Sequence, residues 1–178
     1  MNLPNKLTVF RVLLIPFFVI AMQPFVPYGS IIALVIFIVA SLTDLFDGKI
    51  ARKYNLITNF GKLMDPLADK LLVCTAMLCL MDADRLPAIA VIIIIAREFI
   101  ISAVRLVAAS ENVVIAASMW GKSKTVSQMV MVIILLLHFD IPYYNYLELV
   151  SIIVATALTV ISLVDYLIKN KFVFKEAN

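Results

Sequence analysis

Charged residues are scarce in this chain of 178 residues, where Asp, Glu, Lys and Arg together make up 15% of the sequence. In soluble domains, about a quarter of all residues are usually charged. Hydrophobic residues reach 63% here, and the mean hydropathy is +1.05. One soluble domain of this length cannot bury so much apolar side chain, so the composition excludes an ordinary soluble protein and predicts an integral membrane protein.

Cysteine and histidine are also rare, which argues against several kinds of metal and redox site. Cys74 and Cys79 lie in the apolar run LLVCTAMLCLM, a setting that favours packed or lipid-facing thiols. The one histidine, His138, is far in the sequence from the four acidic residues of segment 44–69, and we expect it to be structural. No linker, low-complexity tract or repeat is visible, so we predict a single domain over residues 1–178. The net charge of +3 is modest, and we expect no nucleic-acid partner.

Six apolar segments, separated by turn residues, are each roughly 16–24 residues long, close to the length of a transmembrane helix. Crossing about 30 Å of hydrocarbon takes about 20 helical residues. The segments cover residues 7–22, 30–46, 59–81, 86–109, 122–139 and 147–168. The pattern predicts an all-α integral membrane protein, a bundle of six transmembrane helices with a short N-terminal cytoplasmic or interfacial segment.

The distribution of basic residues predicts the orientation of these spans. If the N-terminus lies inside the cell, Arg85 alone among the 15 Lys and Arg residues falls on the outer side. Both termini and any polar site near the basic residues should then face the cytoplasm. The absence of a transit peptide favours the plasma membrane of a bacterium.

Ionisable residues cannot avoid the bilayer in the third and fourth segments. Only 11 uncharged residues follow Lys70, about 17 Å of helix, so the third span must reach back through Asp65 and Asp69. Arg97 lies at a similar depth in the fourth span. Each such group costs roughly 2.5–3.5 kcal/mol near a helix centre unless it is paired or lines a wet cavity. These residues therefore indicate a functional site.

The segment DLFDGKIARKYNLITNFGKLMDPLAD, residues 44–69, contains four of the 12 acidic residues and two of the four glycines. On a helix, Asp44 and Asp47 lie about 60° apart, and the small residues Gly48 and Ala51 lie on the same side. The next helix repeats the arrangement at positions i, i+4 and i+8, with Gly61, Asp65 and Asp69. We expect the two acidic faces to meet.

Four carboxylates that converge in a cleft of low dielectric repel one another, so they must take up protons or bind cations. Oxygen ligands with no nearby His or Cys favour Mg²⁺ or Mn²⁺, and four carboxylates suit two ions. The small residues beside them would let a large anionic ligand approach the backbone. The pattern thus predicts two divalent cations and phosphate chemistry. A single Asp could instead pair helices, but four at this spacing argue against that alternative.

The motif Asp44-x-x-Asp47-Gly48-x-x-Ala51-Arg52, eight residues, Gly61-x-x-x-Asp65-x-x-x-Asp69 resembles the signature of the CDP-alcohol phosphotransferases at all eight fixed positions. The resemblance implies a six-span membrane enzyme. It implies that Asp44, Asp47, Asp65 and Asp69 hold two divalent cations, with Asp69 also the general base. It implies a CDP-lipid site formed by Asp44, Gly48, Ala51, Arg52 and Gly61. An alcohol would attack the lipid-side phosphorus, and CMP would leave.

Basic residues on the later helices suit an acceptor that carries a phosphate. Arg97, Arg105, Lys122 and Lys124 lie in the stretches AREFIISAVR and WGKSKT, and Arg and Lys in a dry cleft are typical of phosphate binding. Glu98 shares a helical stripe with Arg105, so Arg97 and the lysines need another partner. Contact with anionic lipid headgroups is the alternative for Arg105, Lys122 and Lys124.

These stretches and the opening NLPNKLTVFRVLLIP resemble family members that use CDP-diacylglycerol as donor and sn-glycerol 3-phosphate as acceptor. The resemblance implies that the four basic residues contact the acceptor phosphate, and it implies a homodimer surrounded by membrane lipid. In the opening stretch Asn5, Thr8 and Arg11 form a polar edge. This edge belongs either to a helix at the cytoplasmic interface, which we favour, or to the rim of the nucleotide site.

Two alternatives stay open at this point. A related enzyme would use the same carboxylates with inositol phosphate, phosphatidylglycerol or serine as acceptor. A divalent-cation carrier, a different class of protein, also places carboxylates inside the membrane. Three arginines argue against a carrier because their positive charge would repel a cation that passes through the protein. They are Arg52, Arg97 and Arg105.

Overall fold

The computed structural model describes residues 3–53, 59–110, 118–139, 141 and 143–171, with side chains for residues 5–43, 64–109, 118–139, 141 and 143–171. The described part of the chain consists of six α-helices and has no β-strand. The helices are α1 (Leu3–Ala21), α2 (Gly29–Lys53), α3 (Asn59–Asp82), α4 (Ala88–Ser110), α5 (Met119–Leu137) and α6 (Tyr144–Lys169). The predicted all-α class and the six helices are thereby confirmed. Asp44, Asp47 and Asp65 all lie on helices, as their spacing predicted.

Helices α5 and α6 are long and apolar enough to cross a membrane. Helices α3 and α4 contain charged residues along their length, among them Asp65, Asp69, Arg97 and Glu98. Groups of this kind occur within transmembrane helices where they serve a site. The number of spans and the interfacial segment at the N-terminus stay predictions.

Helices α1, α2 and α3 belong to a first compact unit, Met1–Ala83. In this unit α1 packs against both α2 and α3. The rings of Phe18 and Phe37 meet between α1 and α2 with their centroids 6.4 Å apart. Ala33 and Ala40 are fully buried, and such small residues allow helices to approach closely inside a membrane.

The polar edge of α1 is buried in this unit. Asn5, Thr8 and Arg11 are 7%, 0% and 0% exposed, respectively. Arg11 donates from Nε to the backbone oxygen of Ala40 on α2 at 3.3 Å. An edge that lay at the membrane interface would be solvated, so this burial favours the second interpretation of the polar edge, the rim of the nucleotide site.

Helices α4, α5 and α6 belong to a second unit, Asp84–Asn178, in which α6 packs against both α4 and α5. The hydroxyl of Ser118 caps α5 by accepting a hydrogen bond from the Gly121 amide at 3.0 Å. At the other end of α5, His138 Nδ1 lies 2.9 Å from Glu148 Oε1 on α6. The single histidine therefore has a structural partner that joins the two helices.

Candidate active site

The second half of the acidic motif lies on α3 in the first unit. Asp65 and Asp69 are one helical turn apart and thus on one face of the helix, and both are half-buried. Thr8 of α1 donates from Oγ1 to Asp65 Oδ1 at 2.5 Å. Pro66 lies between the two acids and cannot donate a backbone hydrogen bond. One carboxylate oxygen of Asp65 is thus held in place by a buried hydroxyl.

The other motif residues lie on helices, but their side chains fall outside the described part of the structure. They are Asp44, Asp47, Gly48, Ala51 and Arg52 on α2, and Gly61 on α3. Among the side chains that are described, no three acidic, His or Cys residues come together. The four-carboxylate cluster and the CDP-lipid site therefore stay predictions.

The two described carboxylates fit a site for a divalent cation. They are hard oxygen donors on one helical face, and both are partly accessible. The hydrogen bond from Thr8 to Asp65 is the kind of supporting contact that orients metal-binding carboxylates. Asp65 and Asp69 could therefore provide part of the ligand set for Mg²⁺ or Mn²⁺.

We expect Thr8→Val to weaken the use of the metal without abolishing it. Valine keeps the volume of the side chain but cannot donate to Asp65, and loss of such an orienting contact typically costs 10-fold or more in metal affinity. The concentration of Mn²⁺ for half-maximal activity should therefore rise about 10-fold in a titration of turnover.

The matched control is Thr75→Val, a half-buried threonine farther along α3. It should leave the Mn²⁺ requirement within about twofold of the wild type. Equal Mn²⁺ requirements for Thr8→Val and the wild type would show that the Thr8 contact does not orient a metal ligand.

A second cluster of polar side chains lies in the other unit, around a buried ion pair. Arg97 on α4 and Lys124 on α5 are 5% and 4% exposed. Arg97 donates from Nη1 to Glu98 Oε1 at 3.1 Å, and Lys124 donates from Nζ to the same oxygen. One carboxylate thus bridges two buried cations, and the three side chains together carry a formal charge of +1.

Neutral polar side chains extend this cluster onto α6. Ser162, fully buried, accepts a hydrogen bond from Arg97 Nη2 at 2.6 Å. Lys124 also donates to Gln128 Oε1 at 3.2 Å, and Gln128 donates from Nε2 to Thr159 Oγ1 at 3.1 Å. The hydrogen bonds hold the two cations in fixed positions against three helices.

The remaining predicted acceptor residues lie near this cluster in the sequence but have other surroundings. Lys122 is exposed. Arg105 is exposed as well, and its guanidinium lies 5.6 Å from the centre of the Tyr166 ring, a cation–π contact. The structure therefore brings Arg97 and Lys124 together and places Arg105 on a buried aromatic ring.

The expectation that Arg97 and both lysines lack a protein partner was wrong for Arg97 and Lys124, because Glu98 contacts both. Sequence reasoning also missed Ser162 and Gln128. One signal was available for Gln128, since it follows Lys124 by four residues and so lies on the same helical face. Nothing in the local pattern distinguishes Ser162 from an ordinary serine in an apolar helix.

The apolar helices α5 and α6 indicate an integral membrane protein. Each unit carries charged side chains that suit phosphate chemistry, the carboxylates of α3 in the first unit and the cluster around Glu98 in the second. The chain matches the model of the CDP-alcohol phosphatidyltransferase family over residues 1–163, and it belongs to that family. The resemblance seen in the acidic motif is thereby confirmed.

Relatives with closely similar sequences extend over nearly the whole chain. A protein of Bacillus subtilis strain 168 is 44% identical over 99% of both chains. A protein of Haemophilus influenzae is 42% identical over 93% of this chain and 91% of its own, and one of Rickettsia bellii is 40% identical over 93% of both. All three are named CDP-diacylglycerol–glycerol-3-phosphate 3-phosphatidyltransferase.

Proposed function

We propose that this protein transfers the phosphatidyl group of CDP-diacylglycerol to sn-glycerol 3-phosphate, giving phosphatidylglycerophosphate and CMP. The family and the names of the full-length relatives support both substrates. The observation that carries the choice of acceptor is the pair of buried cations, Arg97 and Lys124, around Glu98. A cluster with a net positive charge in a dry setting suits an acceptor that carries its own phosphate.

The donor half of the reaction belongs to the acidic motif. Asp44, Asp47, Asp65 and Asp69 would hold two divalent cations, Mg²⁺ or Mn²⁺, which neutralise charge on the phosphoryl group and on the leaving CMP. The nucleotide site would be shaped by Asp44, Gly48, Ala51, Arg52 and Gly61. Gly48, Ala51 and Gly61 have small side chains or none, so the pyrophosphate of the donor could approach the backbone closely there.

Asp69 acts as the general base in this proposal. It accepts the proton of the acceptor hydroxyl, whose oxygen forms a bond to the lipid-side phosphorus while the bond from that phosphorus to CMP breaks. Asp69 is half-buried on α3, one turn from Asp65. Partial exposure is consistent with a group that a substrate must reach.

The acceptor phosphate would be bound by the basic residues of the second unit. Arg97 and Lys124 supply fixed donors, and their burial and hydrogen bonds support this role. Arg105 and Lys122 would add exposed charges that attract the anion. Stacking on Tyr166 limits the positions that the Arg105 side chain can adopt.

The site would lie at the cytoplasmic face of a bacterial plasma membrane, with six spans, both termini in the cytoplasm and two copies of the chain forming a homodimer. The distribution of Lys and Arg supports the orientation. The surrounding lipid would provide both the donor and the medium in which the exposed apolar faces of the helices are stable.

Purified protein supplied with Mn²⁺, CDP-diacylglycerol and one acceptor at a time tests the proposal through CMP release. We expect glycerol 3-phosphate to support turnover, and we expect glycerol, serine and phosphatidylglycerol, which carry no phosphomonoester, to give at most a few per cent of that rate, because the cluster selects that group. Inositol phosphate also carries a phosphomonoester, so its rate relative to that of glycerol 3-phosphate tests whether the site selects the alcohol part as well. Turnover with another acceptor and none with glycerol 3-phosphate would refute the choice of substrate.

The same preparation in liposomes tests the carrier alternative. A carrier would move Mn²⁺ across the membrane in the absence of nucleotide, whereas the enzyme should give no flux above that of empty liposomes. Nucleotide-independent flux without CMP release would replace the proposed function by ion transport.

A further inference from the structure

Gly121 occupies a place in the buried cluster where any side chain would lie against Arg97 and Ser162. A Cβ atom built on Gly121 would be 3.7 Å from Arg97 Nη2 and 4.0 Å from Ser162 Oγ. Both polar groups therefore border the space that the missing side chain leaves. Every other residue type would fill this space with carbon and cover the two groups.

Arg97 and Ser162, which border this space, can each donate a further hydrogen bond. Arg97 is 5% exposed, and its buried Nε has no hydrogen-bond partner among the described residues. Ser162 Oγ accepts a hydrogen bond from Arg97, and a hydroxyl that accepts one can also donate one. Buried donors of this kind are costly when they lack an acceptor, which indicates a ligand that completes them.

The charge of the surroundings determines the sign of that ligand. Gly121 lies in the first turn of α5, whose N-terminal end carries partial positive charge. Lys124 follows on the same helix, and together with Arg97 and Glu98 it gives the formal charge of +1. An anion is therefore favoured, and a neutral or cationic group is not.

We propose that the phosphate of the acceptor binds in the space beside Gly121, where Arg97 and Ser162 donate to its oxygens. Gly121 is then a specificity-determining position, since its missing side chain leaves room for a phosphate oxygen beside Arg97. Ser162 is a contact that α6 contributes. This inference rests on the proposed function and adds the location of the phosphate and two residues to it. It also explains why an acceptor that lacks a phosphomonoester would be used poorly.

The substitution Gly121→Ala tests the space without disturbing the fold. The closest atom to the added methyl group is Ser118 Oγ at 3.4 Å, an ordinary van der Waals contact, so nothing has to move. Alanine is also the better helix former. The variant should therefore unfold at the same temperature as the wild type or above it.

Steady-state kinetics with both substrates varied should show a selective effect. Gly121→Ala should raise the KM for glycerol 3-phosphate about 10-fold, as expected for the loss of a charge-assisted hydrogen bond, with the kcat and the KM for CDP-diacylglycerol within about twofold of the wild type. Ser162→Ala should raise the same KM about fivefold. The control Ser127→Ala, which removes a hydroxyl that donates to the Lys124 backbone oxygen, should change neither KM.

Lys124→Gln separates this inference from the proposed function. If Lys124→Gln raises the KM for glycerol 3-phosphate and Gly121→Ala does not, the phosphate binds in the cluster but not beside Gly121. This inference is then overturned, while the proposed function stands. If none of the three variants changes that KM, the acceptor site itself lies elsewhere and both fail. A higher KM in Gly121→Ala with an unchanged unfolding temperature supports the inference.

Discussion

Asp69→Asn should lower the kcat for CMP release by a factor of about 10²–10⁴, the usual contribution of a general base. The amide has the shape of the carboxylate but cannot accept the proton of the acceptor hydroxyl. It can still offer one oxygen to a cation, so binding of Mn²⁺ and of CDP-diacylglycerol should persist. The half-buried position of Asp69 on α3, one turn from Asp65, leaves it accessible for this role.

Three measurements separate the roles of Asp69. Turnover is measured under saturating substrates, Mn²⁺ binding by electron paramagnetic resonance, and donor binding by displacement of labelled CDP. The matched control is Asp82→Asn at the exposed end of α3, which should keep the wild-type kcat. Loss of Mn²⁺ binding in Asp69→Asn would make Asp69 mainly a metal ligand, and turnover above a tenth of the wild type would rule it out as the base.

Glu98→Gln should destabilise the second unit by about 3 kcal/mol. Breaking a buried ion pair typically costs 3–5 kcal/mol, and the lower end applies because Glu98 is not fully buried. The substitution leaves Arg97 and Lys124 close together in a dry setting without the carboxylate that both contact. We expect a lower midpoint in chemical unfolding of the detergent-solubilised protein, and partial recovery when glycerol 3-phosphate is added, because a phosphate compensates the same charges.

A second substitution tests the electrostatic reason. Glu98→Gln combined with Lys124→Gln removes one cation together with the carboxylate, so the double variant should be more stable than Glu98→Gln alone. The control is Asp165→Asn, which removes a carboxylate from a pair with the exposed Lys169 and should cost less than about 1 kcal/mol. Equal stabilities of Glu98→Gln and Asp165→Asn would contradict the bridging role of Glu98.

The six helices were largely predictable because the long apolar segments are separated by breaks that contain turn residues. The C-terminal end of α2 was harder to predict. The apolar run ends at Phe46, whereas the helix continues to Lys53. A helix satisfies its own backbone hydrogen bonds in water as well as in lipid, so it need not stop where its side chains become polar.

The acidic motif could be predicted because its carboxylates recur at helical spacing and are hard to explain otherwise. The hydrogen-bond and ion-pair partners of the basic residues could not be predicted from the sequence. Glu98 and Lys124 are 26 positions apart on different helices, so their contact depends on packing and has no local pattern. Ser162 is a single neutral residue in an apolar helix, and its contact with Arg97 follows from the way α4 and α6 pack.

The fully buried Arg11 has a consequence for the order in which the protein enters the membrane during synthesis. Its hydrogen bond to the Ala40 carbonyl forms only after α2 has left the ribosome. If α1 spans the membrane, as the sequence predicts, it would before that meet the lipid with an arginine that costs roughly 2.5–3.5 kcal/mol near a helix centre. The translocon should therefore retain the first helix and release it together with the second as a hairpin.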